Sequence, residues 1–120
     1  MLTAADVRAV NSVAVRRFAA GRGDVDEAVV EALTAEQSAS ATAFVRAATL
    51  AAGLLTRRAV TGAPLHTALL VLHCSLSLDG FLLLAPQGVA AGMVRGLAAG
   101  TDPAAMARWL EDRAVPSSAD

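Results

Sequence analysis

The chain has no lysine, no tyrosine and no isoleucine, and its 120 residues include one cysteine, one tryptophan and three phenylalanines. Each absence excludes something. Without lysine there is no P-loop lysine, no Schiff-base nucleophile and no kinase-type phosphate lysine. A lone Cys74 forms no internal disulfide, so the fold must hold by packing. With 3% aromatic residues and a net charge of −1, the chain lacks the stacking surface and the basic field used in nucleic-acid binding. No uninterrupted apolar run reaches the roughly 20 residues of a membrane-spanning helix. The best stretch, Ala68 to Ala85, is interrupted by His73, Ser75, Ser77 and Asp79-Gly80. The start, Met1-Leu2-Thr3, has neither the basic segment nor the long apolar run of a secretory signal. These absences predict a cytoplasmic protein with neither nucleic acid nor membrane as a partner.

What is present is apolar and small. Hydrophobic residues make up 55% of the chain, supplied mainly by Ala, Val and Leu, and all ten basic residues are arginine. That usage resembles the codon bias of a GC-rich, actinobacterial-like genome and carries little functional weight. The length suits one domain with one modest core.

The apolar spacing predicts an all-α, single compact helical domain over residues 1–113, followed by a flexible tail at 114–120. Thr3 is placed to cap a first helix with Val7, Val10, Ala14 and Phe18 inward, ending at Gly21-Arg22-Gly23. Asp24 or Asp26 starts a short second helix with Ala28, Val29, Ala32 and Leu33 inward and Glu27 and Glu31 outward. Thr34, with Gln37 three residues on, suggests a capping box opening a long helix to about Val60, with Phe44, Ala47, Ala48, Ala51, Leu54 and Leu55 on its inner face. Thr61-Gly62-Ala63-Pro64 breaks the chain. Leu65 to Leu78 is then apolar nearly all round, the pattern of a central buried helix. Asp79-Gly80 turns into Phe81-Leu82-Leu83-Leu84, which reads as core or as interface. A glycine-interrupted helix follows from Ala85 to Gly100. Asp102-Pro103 opens the last one, with Met106, Trp109 and Leu110 inward.

Few residues offer chemistry. His66 and His73 share a helix face but stand about 10 Å apart along its axis, too far for one metal. No third ligand has suitable spacing, so neither a metal nor a cofactor is expected. His73 and Cys74 point about 100° apart on one helix, a poor base–nucleophile pair, and Cys74 reads as an inert thiol. Asp24, Asp26, Glu27 and Glu31 fit capping and a solvated face, and Glu111-Asp112 fit surface charge. The one candidate anion site combines Arg57 and Arg58 at a helix end with Thr61, the loop amides and His66 in the first turn of the buried helix. His66 is there the candidate acid–base group, and an arginine is the clamp. The plain alternative is that both arginines merely meet the negative end of a helix dipole.

Read end to end, the chain resembles the death-on-curing (Doc) branch of the Fic superfamily. The residues that carry the resemblance are Leu2-Thr3-Ala4-Ala5-Asp6-Val7 with Val13 to Phe18, Asp26-Glu27 through Ala32-Leu33, and Ala47-Ala48 with Leu54-Leu55. Thr67-Ala68-Leu69 through Asp79-Gly80-Phe81 follow without a gap, and Leu97-Ala98-Ala99-Gly100 with Ala107 to Leu110 close the match. The resemblance implies a Fic/Doc-like helical domain related to toxin–antitoxin proteins. It also implies that the signature His-x-Phe-x-Asp/Glu-Gly/Ala-Asn-Lys/Gly-Arg falls on Arg58-Ala59-Val60-Thr61-Gly62-Ala63-Pro64-Leu65-His66.

At those positions the family's base is Arg58, which accepts no proton at working pH. Its metal-holding acid is Gly62, its Asn is Pro64 without an N–H, and its phosphate-binding Arg is His66. Base, metal ligand and phosphate clamp are replaced together, which argues against adenylyl or phosphoryl transfer by that mechanism. Two readings follow. One is a non-catalytic binding or regulatory module acting through a protein partner or self-association. The other is a repurposed enzyme or small-molecule binder, such as one serving a biosynthetic pathway, that uses the cleft beside Arg58 and His66. A helical bundle unrelated to Doc is the third.

Overall fold

The computed structural model describes residues 2–18, 22–37 and 41–117. Among them are six helices and two short two-stranded sheets, so the domain is mainly α. Helix α1 (Ala4–Phe18) is followed by β1 (Asp24–Val25), α2 (Glu27–Ala35) and α3 (Ala43–Thr56). After β2 (Val60–Thr61) come α4 (Pro64–Leu78), β3 (Phe81–Leu83), α5 (Gln87–Ala98), α6 (Pro103–Arg113) and β4 (Ala114–Pro116). None of the described helices is long and apolar enough to cross a membrane.

Helix α4 lies in the middle, as its all-round apolarity requires. Thr67, Ala68, Leu69, Val71, Leu72, Ser75 and Leu76 are buried on it. Helix α3 packs along it through small residues: Ala47, Ala48, Ala51 and Ala52 join Ala68, Leu69, Leu72 and Leu76 in one cluster, completed by α5 and α6. A second cluster forms on the other side, where Leu50 and Leu54 of α3 and Val71 of α4 meet Val7, Val30 and Leu33. The alanine-rich sequence thus has a packing consequence. Small side chains on α3 let it approach its neighbours closely while serving two cores. Gly53 shows the limit, since a Cβ there would lie 2.3 Å from a Leu33 methyl of α2.

Several boundaries differ from expectation. The expected long helix does not begin at Thr34, which lies within α2 and donates its hydroxyl to the Glu31 carbonyl. The cap is Thr42, whose Oγ1 accepts from the Val45 N–H at 3.2 Å. The helix also stops at Thr56, short of Val60. Asp26, of the two candidates, caps α2, while Asp24 lies in β1. Helix α2 buries Val30 and Leu33, whereas Ala28 and Ala32 face out, because the short helix leans on α3 by a narrower edge. Phe18 is 48% exposed, outside the core stripe of α1.

The first residues of the expected tail are ordered. Ala114, Val115 and Pro116 pair antiparallel with Leu83, Leu82 and Phe81, and the Ser117 N–H reaches the Gly80 carbonyl at 2.8 Å. The domain therefore extends through β4. Residues 118–120 lie outside the described residues, as do residues 19–21, where the first helix was expected to end in a glycine turn.

Candidate functional site

The junction of α3 and α4 is where chain direction, charge and backbone strain meet. Helix α3 ends at Arg57, its C-cap, and Arg58 then takes a left-handed backbone with φ 52°. Val60 enters β2 and is buried. Gly62 (φ 77°) and Ala63 (φ 47°) are left-handed in succession before Pro64 opens α4. A side chain in this region is strained, and Arg58 and Ala63 are the described non-glycine residues that adopt it.

Three elements hold the loop in that shape. Strand β1 pairs with β2, Asp24 opposite Thr61 and Val25 opposite Val60. The Thr61 hydroxyl accepts the Asp24 N–H at 3.1 Å. From α1, the buried Asn11 amide donates to the carbonyls of Thr61 (3.3 Å) and Gly62 (2.9 Å) and to the Thr67 hydroxyl (3.1 Å). Glycines allow the approach: a Cβ on Gly23 would sit 2.4 Å from the Asn11 side-chain oxygen, and one on Gly62 would sit 2.8 Å from the Gly23 Cα. Outside this clamp, Arg8 joins β1 to α2 by reaching Asp24, Glu27 and the Val25 carbonyl. The Val25 N–H and then Arg8 hold the Asp24 carboxyl below its ordinary range.

Of the four candidate site residues, Arg58 and Thr61 line one cleft, whereas Arg57 and His66 make contacts of their own. Arg57 turns to Glu36 at 2.7 Å in an exposed surface ion pair. Thr61 is occupied in pinning β1. His66 stands exposed in the first turn of α4 and stacks face to face on Phe18, ring centroids 4.1 Å apart and planes within 9°. Arg58 lines a cleft of about 410 Å³ with Leu54, Leu55, Val60, Thr61, Pro64, Leu65 and Ala98. Among the described residues, no carboxylate pairs with Arg58. Its cleft is otherwise walled mainly by apolar side chains.

The remaining candidates lie elsewhere. His73 is half-buried in α4, and burial pushes its imidazole below the ordinary histidine value. Cys74 lines a separate groove between α1 and α4 with Leu2, Val10 and Leu78. No group of three His, Cys, Asp or Glu side chains converges as a metal site would require among the described residues.

Sequence reasoning passed over Asn11, and it read Phe18 as core and Gly23 only as part of a turn. Asn11 had a signal: it is a polar residue beside Val7, Val10 and Ala14 on the inward stripe. The role of Phe18 depends on His66, and that of Gly23 on Asn11, Val15 and Thr61, contacts across other elements that no local pattern reports. No family model, curated protein or solved structure matches the chain.

Proposed function

We propose that the chain is a non-catalytic, Doc-like binding module that works through protein–protein contacts and transfers neither nucleotidyl nor phosphoryl groups. The observation that carries the binding role is the outer face of the antiparallel β3–β4 pair. Leu82 and Val115 are register partners, and with Leu84 they are 52%, 36% and 56% exposed, while the intervening Leu83 is buried. A contiguous apolar face on so small a domain is the kind of surface that a partner covers. The Doc-like part rests on the order of landmarks along the chain. The absence of transfer rests on Arg58, Gly62, Pro64 and His66 at the motif positions, none of which supplies that family's base, metal ligand or phosphate clamp there.

Light scattering of the full chain across a concentration series, together with cross-linked co-purification from its own host, tests this. Assembly or a reproducible partner is expected, with loss of either in the Leu82→Ser/Leu84→Ser double variant. A monomer at every concentration that also captures no partner overturns the contact role. Transfer of label from ATP and Mg²⁺ to any protein acceptor overturns the non-catalytic one.

A further inference from the structure

We propose that the cleft between the end of α3 and the start of α4 binds a small apolar carboxylate, whose head meets Arg58 and whose body lies on Leu54, Leu55, Val60, Pro64 and Leu65. The site is independent of the β3–β4 face and of any likeness to Doc.

Four features of the cleft define the ligand. Its volume, about 410 Å³, falls in the range of small-molecule sites, and its walls are mainly aliphatic. Arg58 is the charged side chain lining it and has no carboxylate partner among the described residues. The contrast with its neighbour is direct, because Arg57 is tied to Glu36 at 2.7 Å. The left-handed backbone of Arg58, φ 52°, is that of the turn closing α3, where the Arg58 N–H bonds the Leu55 carbonyl and the Ala59 N–H the Leu54 carbonyl, and it fixes where the guanidinium stem leaves the chain. Finally, α4 begins without a side-chain cap, and the Leu65 N–H has no protein acceptor among the described residues. Leu65 itself lines the same cleft, at the positive end of the helix dipole.

Charge matching decides between anions. One guanidinium offers a planar fork to a planar carboxylate and balances a single negative charge. A phosphate dianion would leave charge uncompensated against aliphatic walls. Pro64 also removes an N–H from the turn where a phosphate would be cradled. An uncharged ligand would leave Arg58 unused.

The test uses the full chain with octanoate as probe, followed by calorimetry and by methyl NMR of the leucines. Saturable binding is expected, with shifts at Leu55 and Leu65, and at least about tenfold weaker binding of 1-octanol, which keeps the chain and loses the charge. Arg58→Gly is the decisive variant. Glycine accepts the same left-handed backbone, so the fold should hold or gain stability while octanoate affinity falls about tenfold or more. Leu65→Gln should weaken binding through the apolar wall instead. The proposal is overturned if octanoate does not saturate at millimolar concentration, if Arg58→Gly binds as well as the parent, or if the shifts map elsewhere. It is also overturned if inorganic phosphate displaces octanoate at equal concentration, because the site would then be a phosphate site.

Discussion

Asn11 has the most consequential buried polar contacts in the domain, since one amide holds two loop carbonyls and a helix hydroxyl. Removing it strands acceptors that water does not easily reach. Asn11→Ala should therefore cost about 1–3 kcal/mol of unfolding free energy in urea, read from the fluorescence of the single Trp109. The left-handed pair before α4 gives two opposite expectations. Ala63→Gly relieves about 1 kcal/mol of backbone strain and adds a smaller entropic cost, for a net gain of about 0.5 kcal/mol. Gly62→Ala does the reverse: it adds strain at φ 77° and places a Cβ 2.8 Å from the Gly23 Cα. Thermal melts of the two variants should shift in opposite directions. At this scale the sequence was partly legible. Pro64 announced a helix start and Asp26 a cap, but Asn11 announced only a polar residue on an apolar stripe.

The elements show where local pattern and tertiary context part. Helices α4 and α6 follow from apolarity and from the Pro at their first turns. The break between α2 and α3 does not, because Thr34-Ala35-Glu36-Gln37 has the composition of a helix start while Thr42 makes the capping bond. Thr42→Ala should destabilise the domain by about 1 kcal/mol, whereas Thr34→Ala, with no cap to lose, should fall well below that in the same melts. The strands are two or three residues long and carry too little alternation to be read from sequence. They form because β1 meets β2, and β3 meets β4, across thirty or more intervening residues. Deleting residues 114–120 removes a paired strand rather than a loose end. It should lower the melting temperature and increase exchange of the Leu84 amide, which donates to the Arg113 carbonyl at 2.9 Å.

For the whole molecule, pH acts through His73. Burial lowers its folded-state affinity for a proton, while the unfolded chain takes one near the ordinary value of about 6.5. The unfolded state therefore binds more protons as pH falls, so stability present above about 6.5 declines below it. Urea midpoints measured from pH 8 to pH 5 should fall through that window, and His73→Gln should flatten the slope there. A slope unchanged in the variant would place the effect on other groups. Asp6 and Asp24 are held below their ordinary range by neighbouring N–H groups, and Asp24 also by Arg8, so their contributions are lost only at more acid pH.

By itself the sequence determined that the domain is helical, that its cores are built of Ala, Val and Leu, and that the helix from Pro64 to Leu78 is central. Those features depend on periodicity and on the fixed φ of proline, both of which act within a few residues. Only the tertiary structure decided which contacts Arg57, Arg58, Thr61 and His66 make. Each has a different partner: Glu36 for Arg57, the β1 backbone for Thr61, Phe18 for His66 and an apolar cleft for Arg58. Sequence adjacency sets where a backbone passes, but the direction of a side chain is set by the left-handed turn at Arg58 and by what packs opposite.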